Sequence, residues 1–132
     1  MRIAGIINAQ LSRVLAELRH TDTLVISDSG LPVPVDGPEV VDLAVVYGLP
    51  AFEPVLSAIV GEIVIEGAFA SEQVTEANPA AWEVMRAKLG VEVELVPHED
   101  LKAAVFDARA VVRTGEATPY ANVVLRCGVP FA

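Results

Sequence analysis

Short runs of Val, Leu and Ile alternate along this chain with segments whose apolar residues recur at helical spacing. Strands that alternate with helices pack as a largely parallel sheet between two helical layers. The predicted strands lie at 24–26, within 40–46, within 63–69, at 91–95, at 110–112 and at 121–125. The sequence therefore predicts a single domain over residues 1–132 with a three-layer α/β/α fold and a mostly parallel sheet.

Capping signals place four helices between these strands. Asn8 is a candidate N-cap for a first helix that ends near Arg19. Asn78 and Pro79 form an N-cap and first-turn pair for a helix that ends at Gly90. The other two predicted helices begin after Pro50 and after Pro97.

The loop at 113–120 decides the direction of the last strand. It is too short for the helical crossover that joins parallel strands. The last two strands are therefore predicted to form an antiparallel pair, which makes the sheet mixed. Apolar and acidic residues alternate at 91–95, which indicates a strand with one wet face, at a sheet edge.

The composition favours strands that are buried on both faces. Hydrophobic residues make up 53% of the chain and aromatic residues only 5%, so the core is expected to consist of Val, Leu, Ile and Ala. This apolar fraction exceeds that of an average globular domain. The excess leaves room for a buried interface between subunits.

The charge pattern argues against nucleic acid and against an anionic membrane as partners. The net charge is −9, and the nine basic residues are scattered without a run. No segment has the length of apolar sequence that a spanning helix needs, and the first residues do not form a signal peptide. The single cysteine, Cys127, is predicted to be a buried, unreactive thiol. These features predict a cytoplasmic protein.

Hydrogen-bonding side chains gather where predicted strands meet loops. Asp28 follows the first strand, at the carboxyl end where open α/β sheets hold ligands. Its carboxylate can accept hydrogen bonds from two hydroxyls of a ligand, or it can cap its own Asp-x-Gly turn. Tyr120 and Asn122 alternate at a strand start and so project to one face. The backbone groups of Ala121 between them are unpaired if this strand begins at an edge.

The two histidines are candidates for proton transfer and ligand binding. His20 directly follows the first helix and can donate and accept a proton, although a structural role at the helix end is the alternative. His98 begins a helix, where it can cap the helix or face a ligand. Lys102 lies one turn further on and is a further candidate for the same cleft, unless it is simply solvated.

Other chemistry lacks support in the sequence. The histidines have no cysteine partners at zinc-site spacing, and no serine stands in a nucleophile-elbow motif. Arg113 and Glu116 are predicted to fix their turn through a local ion pair. The polar groups at the strand ends are typical of a site that binds a neutral polyhydroxy compound and moves protons, without metal or cofactor.

At these residues the chain resembles the D-ribose pyranase and L-fucose mutarotase family. The motifs that carry the resemblance are His20-Thr21-Asp22, Asp28-x-Gly30-Leu31-Pro32-x-Pro34, Asp42-Leu43-Ala44, Gly48-Leu49-Pro50-Ala51-Phe52, Pro97-His98-Glu99, Arg113-Thr114-Gly115-Glu116 and Thr118-Pro119-Tyr120-Ala121-Asn122. Alanine at 121 separates the chain from the fucose branch, which usually carries glycine there. Two residues depart from the family pattern: Arg19 stands in place of a glycine and Ser29 in place of an alanine. Arg19 implies a strained backbone or a different helix ending.

The resemblance implies a cofactor-independent isomerase that interconverts pyranose and furanose forms of D-ribose and so supplies furanose for ribose catabolism. His20 matches the family's proton donor. The positions that match its sugar-binding residues are Asp28, His98, Tyr120, Ala121 and Asn122. Relatives assemble as stacked rings, which implies a homodecamer of pentameric rings with sites at subunit boundaries. Two alternatives stay open: a mutarotase for fucose or another aldose, and a non-catalytic sugar-binding or regulatory protein associated with ribose transport.

Overall fold

Six strands form one mixed sheet in the order β2-β5-β1-β6-β3-β4 in the computed structural model, which describes all residues 1–132. The strands are β1 Thr23–Ser27, β2 Glu39–Asp42, β3 Ile65–Ser71, β4 Val93–Val96, β5 Ala110–Arg113 and β6 Val123–Cys127. The helices are α1 Ala9–Glu17, α2 Phe52–Val60, α3 Val74–Ala77, α4 Pro79–Lys88 and α5 His98–Ala104, which runs into a 3-10 turn at Val105–Asp107. The short helix α3 has no counterpart in the sequence-based prediction.

Only β6 runs against the other strands. It pairs antiparallel with β1 and with β3, whereas the β1–β5, β2–β5 and β3–β4 pairs are parallel. The predicted reversal of the last strand is confirmed, but the prediction that β6 pairs with β5 is wrong. Strand β1 occupies the position beside β5, so β6 lies on the far side of β1. Strand β4 lies at the edge, as its alternating sequence predicted.

Helices cover both faces of the sheet, which confirms the three-layer fold. Leu24 and Ile26 of β1 face a large core that includes residues of α1, α2 and α4. Val25 faces the other way, into a smaller core with Leu101 of α5 and Val105. All three β1 residues are fully buried, because a central strand between two helical layers has no wet face.

The predicted helix caps are present. The Asn8 side chain accepts from the Leu11 N–H at 2.8 Å, and the Asn78 side chain accepts from the Ala81 N–H at 3.2 Å. Gly90, just beyond α4, has a positive φ of 69°. The longest helix has ten residues, so none has the length to cross a membrane.

Helix α1 ends differently from the glycine ending that the family pattern suggests. The guanidinium of Arg19 donates to the carbonyl of Glu17 at 2.8 Å and so caps the end of the helix. The left-handed backbone conformation falls on Thr21, with φ of 71°, and not on Arg19. Arg19 therefore carries no backbone strain.

Several strands begin or end at other residues than predicted, among them β2 and β6. Strand β2 stops at Asp42, and residues 43–46 belong to the loop that precedes α2. Strand β6 begins at Val123, two residues later than predicted. Tyr120 consequently lies in a turn with φ of 59°, so the expected alternation of Tyr120 and Asn122 along a strand does not apply.

Candidate functional site

Asp28 and Asn122 form a bonded pair at one end of the sheet. Asn122 Oδ1 accepts from the backbone N–H of Asp28 at 2.8 Å, and its Nδ2 donates to Asp28 Oδ2 at 3.2 Å. Asp28 follows the carboxyl end of β1, and Asn122 precedes the amino end of β6. Because β6 runs antiparallel to β1, these two ends meet at the same edge of the sheet.

The Asp28 carboxylate caps its own turn and still has capacity for a ligand. Its Oδ1 accepts from the N–H groups of Gly30 at 2.9 Å and Leu31 at 2.8 Å. Its Oδ2 accepts only the single bond from Asn122. A carboxylate offers about four acceptor positions, so Oδ2 can take a further hydrogen bond from a hydroxyl. Turn capping and ligand binding are therefore compatible at Asp28.

His98 and Tyr120 meet beside this pair. Their rings make a T-shaped contact with centroids 5.1 Å apart at an interplanar angle of 87°. The His98 Nδ1 lies 2.6 Å from the hydroxyl oxygen of Ser71, a fully buried residue at the end of β3. This bond leaves the Nε2 of His98 for a ligand. Sequence reasoning missed Ser71, whose only signal was its place at the end of an apolar strand.

Hydrogen bonds from Asn78 hold the loop that carries Tyr120. The Nδ2 of Asn78 donates to Pro119 O at 2.8 Å and to Thr118 Oγ1 at 2.8 Å. A left-handed backbone is uncommon for tyrosine, and such strain persists where the surroundings over-determine it. None of the backbone hydrogen bonds outside the helices and strands involves Ala121. We call Asp28, Ser71, His98, Tyr120 and Asn122 the strand-end cluster.

His20 lies at the opposite end of the sheet. It precedes β1, whereas Asp28 follows this strand, and five extended residues span about 17 Å. The structure therefore brings together four of the predicted polar side chains within one subunit, but not the fifth. The His20 Nε2 instead lies 3.1 Å from Oε2 of Glu66 on β3.

Glu66 is a second residue that sequence reasoning missed. Its Oε1 accepts from Nε of Arg126 on β6 at 3.1 Å, so the carboxylate bridges His20 and Arg126. The hydrogen bond from His20, with a smaller contribution from Arg126, holds the pKa of Glu66 below its usual value. No sequence pattern indicated this contact, because the three residues come from separate parts of the chain.

Lys102 forms an ion pair with Glu99 of the same helix at 2.9 Å. Its side chain is half-buried and lines a groove with Val33 and Phe106. No hydrogen bond or ion pair joins it to the strand-end cluster.

The predicted ion pair between Arg113 and Glu116 was wrong. Arg113 reaches across to β2 and binds both carboxylate oxygens of Asp42, at 3.1 and 3.0 Å. The Glu116 Oε1 accepts from the backbone N–H of Phe52 at 2.9 Å, at the start of α2. Arg113 meets Asp42 because the two are opposite each other in the β2–β5 pair, whereas Glu116 lies in the following loop, which packs against the start of α2. Cys127 is buried as predicted, and burial raises the pKa of its thiol.

Comparisons with known proteins agree with this architecture. Residues 1–130 match the model of the RbsD / FucU transport protein family. The chain is 57% identical over 131 residues to D-ribose pyranase 1 of Rubrobacter xylanophilus, covering 99% of this chain and 100% of the relative. It is 51% identical over 131 residues to D-ribose pyranase of Streptomyces avermitilis, with the same coverage.

Solved structures show the same fold. RbsD of Bacillus subtilis complexed with D-ribose has a TM-score of 0.94 and 41% identity, covering 99% of this chain and 100% of that one. The fucose mutarotase of Streptococcus pneumoniae has a TM-score of 0.80 at 23% identity, covering 95% of each chain, which shows the fold alone. The chain belongs to the RbsD / FucU transport protein family.

Proposed function

We propose that this chain is an isomerase that interconverts the pyranose and furanose forms of D-ribose. The observation that carries the proposal is the identity of 57%, over nearly the whole chain, to a D-ribose pyranase. The strand-end cluster supports it, since it presents a carboxylate, an imidazole and a phenol at one edge of the sheet. Groups of this kind bind the hydroxyls of a neutral sugar.

The residues predicted to bind the sugar have distinct parts. Asp28 Oδ2 accepts from a sugar hydroxyl, and the Nε2 of His98 bonds another. The Tyr120 hydroxyl and the backbone groups of Ala121 supply further donors and acceptors around the ring. Asn122 is 1% exposed and fixes the orientation of the Asp28 carboxylate. The ring of Tyr120 covers an apolar face of the sugar.

Proton transfer is the only catalysis that the reaction requires. The bond between C1 and the ring oxygen O5 breaks as O5 receives a proton and the anomeric hydroxyl loses one, which yields the open-chain aldehyde. Attack of O4 on C1 then closes the furanose, as O4 loses its proton and the carbonyl oxygen gains one. His20 is the proposed proton donor, since an imidazole exchanges protons near neutral pH.

A complete site requires two subunits, because His20 and the strand-end cluster occupy opposite ends of β1. We therefore propose a homo-oligomer in which His20 of one copy faces the cluster of another, with the decamer of stacked pentameric rings as the expected assembly. Large apolar side chains are exposed on the single subunit, among them Tyr47 at 84% and Phe131 at 72%. Such surface is typical of an interface between subunits. The single reduced cysteine is compatible with a cytoplasmic location.

Saturation-transfer NMR on D-ribose near neutral pH tests the activity. We expect the protein to accelerate exchange between β-ribopyranose and β-ribofuranose, and the His20→Ala variant to lack this effect. Exchange of fucose anomers without an effect on ribose would instead identify a fucose-type mutarotase. Binding of ribose without any exchange would identify a non-catalytic sugar-binding protein.

A further inference from the structure

We propose that Glu66 is a positioning residue for His20, which holds the imidazole in one tautomer and orients it for proton transfer. This inference rests on the proposed function only for the consequence in catalysis. The contact itself is an Nε2 to Oε2 distance of 3.1 Å between side chains 46 positions apart in sequence. An ionised carboxylate only accepts hydrogen bonds, so Nε2 of His20 carries the hydrogen.

This geometry names the atom that exchanges protons with the sugar. With Nε2–H committed to Glu66, Nδ1 is the nitrogen that gains and loses a proton. In the neutral ring Nδ1 carries a lone pair that can accept a proton from the sugar. In the imidazolium Nδ1 carries the proton that is donated to the sugar. A carboxylate behind the ring thus keeps the reacting nitrogen facing the substrate in both states.

The backbone around Glu66 is built to aim its side chain. Between β3 and β6, Ile65 opposes Cys127 and Gly67 opposes Arg126, so Glu66 is the extra residue of a β-bulge. Bulges re-aim side chains and occur next to active sites. The bulge places Glu66 beside the turn that follows α1.

Two glycines make room for the contact. A Cβ on Gly67 would lie 2.8 Å from Nη2 of Arg126, so the guanidinium would have to shift from its place across the strand. A Cβ on Gly128 would lie 3.3 Å from Cβ of Glu66 and 3.0 Å from Cγ1 of Val64. With Arg126 on its other oxygen, the Glu66 carboxylate is held from both sides.

Hydrogen bonds also fix the turn that carries His20. Thr21 N–H donates to Cys127 O at 2.9 Å, and Cys127 N–H donates to Asp22 O at 2.8 Å. Asp22 also accepts from the backbone N–H of Arg19 at 2.8 Å. Both partners are thus held by the end of β6, and their separation is set by the fold. The charged and titratable groups around His20 are Glu66, Arg126, Asp22, Arg109, Arg19 and the Cys127 thiol.

The decisive readout is the tautomer of His20. The chain has two histidines, so protein labelled with 15N-histidine gives two sets of ring resonances, and His98→Gln assigns them. In the wild type we expect the neutral His20 ring to carry its hydrogen on Nε2. In Glu66→Ala we expect both tautomers to be populated. An unchanged tautomer in Glu66→Ala would overturn the proposal, whether or not the protein acts on ribose.

If Glu66 positions His20, its removal should lower turnover and leave substrate binding nearly unchanged. We expect Glu66→Ala to lower kcat for ribose exchange about 10- to 100-fold, the range known for carboxylates that orient metal-bound histidines, with little change in KM. Glu66→Asp, which keeps the charge, should recover part of this loss. The control is Glu83→Ala, which removes an ion pair of the same length, 3.1 Å to Arg86, at a more exposed position and should leave kcat unchanged.

The rate profile with pH gives a further test. Glu66→Ala removes the negative charge beside the His20 ring, so the dependence of kcat on pH should differ from that of the wild type. The control Glu83→Ala should keep the wild-type profile. Light scattering on each variant checks that the assembly is intact. Wild-type kcat and profile in a correctly assembled Glu66→Ala would overturn the positioning role, whereas an inactive wild type would overturn only the proposed function.

Discussion

Asn122 binds Asp28 at two points, through a 2.8 Å bond from the Asp28 backbone N–H and a 3.2 Å bond to its carboxylate. The Asn122 amide thus fixes both the backbone and the side chain of Asp28, although the two residues lie 94 positions apart in sequence. Since β6 lies between β1 and β3, this pair also joins the two halves of the sheet at the edge where the sugar is proposed to bind.

Replacing Asn122 with alanine should therefore weaken both folding and binding. The backbone N–H of Asp28 loses its partner, and an unsatisfied group of this kind costs about 1–3 kcal/mol. Urea unfolding should show this loss, and ribose titration should show weaker binding. Ser29→Ala, in the same loop but bonded to Glu116 O, is the control and should bind ribose as the wild type does. Wild-type binding in Asn122→Ala would show that Asp28 keeps its orientation without the amide.

Substitution of His20 and of Asp28 should separate catalysis from binding. His20→Ala should reduce turnover about 10²–10⁴-fold, the usual contribution of a general acid–base group, and retain ribose binding. Asp28→Ala should instead weaken binding, because a hydrogen bond to a charged group contributes about 1.5–3 kcal/mol. Calorimetric titration together with NMR exchange measures both quantities. A His20→Ala variant with wild-type exchange would remove this histidine from the mechanism.

Mixing two inactive variants tests whether the site is shared between copies. His20→Ala and Tyr120→Ala subunits, refolded together in equal amounts, should recover activity in about one quarter of the sites, since each site draws its halves independently. Each variant refolded alone is the control. No recovery in mixed oligomers would place both residues in the same subunit's site. A mass of 14.0 kDa by light scattering for active protein would rule out the assembly altogether.

Asn78→Ala should disturb the Tyr120 loop as well as helix α4. The side chain caps α4 and also donates to Thr118 and Pro119, and it is buried. We expect a loss of about 1–3 kcal/mol in unfolding free energy, together with weaker ribose binding. Asn8→Ala removes an N-cap without contacts to the site, so it should cost about 1 kcal/mol and leave binding intact. Equal effects of the two substitutions on binding would contradict the role of Asn78 in the loop.

Gly115→Ala should destabilise the fold through a backbone clash. A Cβ at this position would lie 2.5 Å from Leu49 O and 2.7 Å from Val46 O, where no side chain can move aside. Forced repacking of this kind costs about 1–3 kcal/mol, measurable by urea unfolding. Gly30→Ala is the matched loop control, since its nearest neighbour would be Asp28 Oδ1 at 3.8 Å, an ordinary contact. Equal stability of both variants would mean that the 43–50 loop adapts freely.

Local sequence patterns determined the elements and one half of the candidate site. The caps at Asn8 and Asn78 and the buried run of β1 are properties of neighbouring residues, and all appear in the structure. The position of Asp28 at a strand end follows from the same local signals. The resemblance to a sugar-binding family rests on short motifs in the same way, and the comparisons bear it out.

Only the tertiary structure showed which strands are neighbours and which side chains they bring together. Strand order depends on contacts between distant residues, so the chain itself did not reveal that β6 lies between β1 and β3. This placement brings Asn122 to Asp28 and leaves His20 at the far end of β1, next to Glu66. Strand order likewise explains why Arg113 forms its ion pair with Asp42 and not with Glu116. Side-chain pairs across a sheet are set by strand order and register, which local periodicity does not encode.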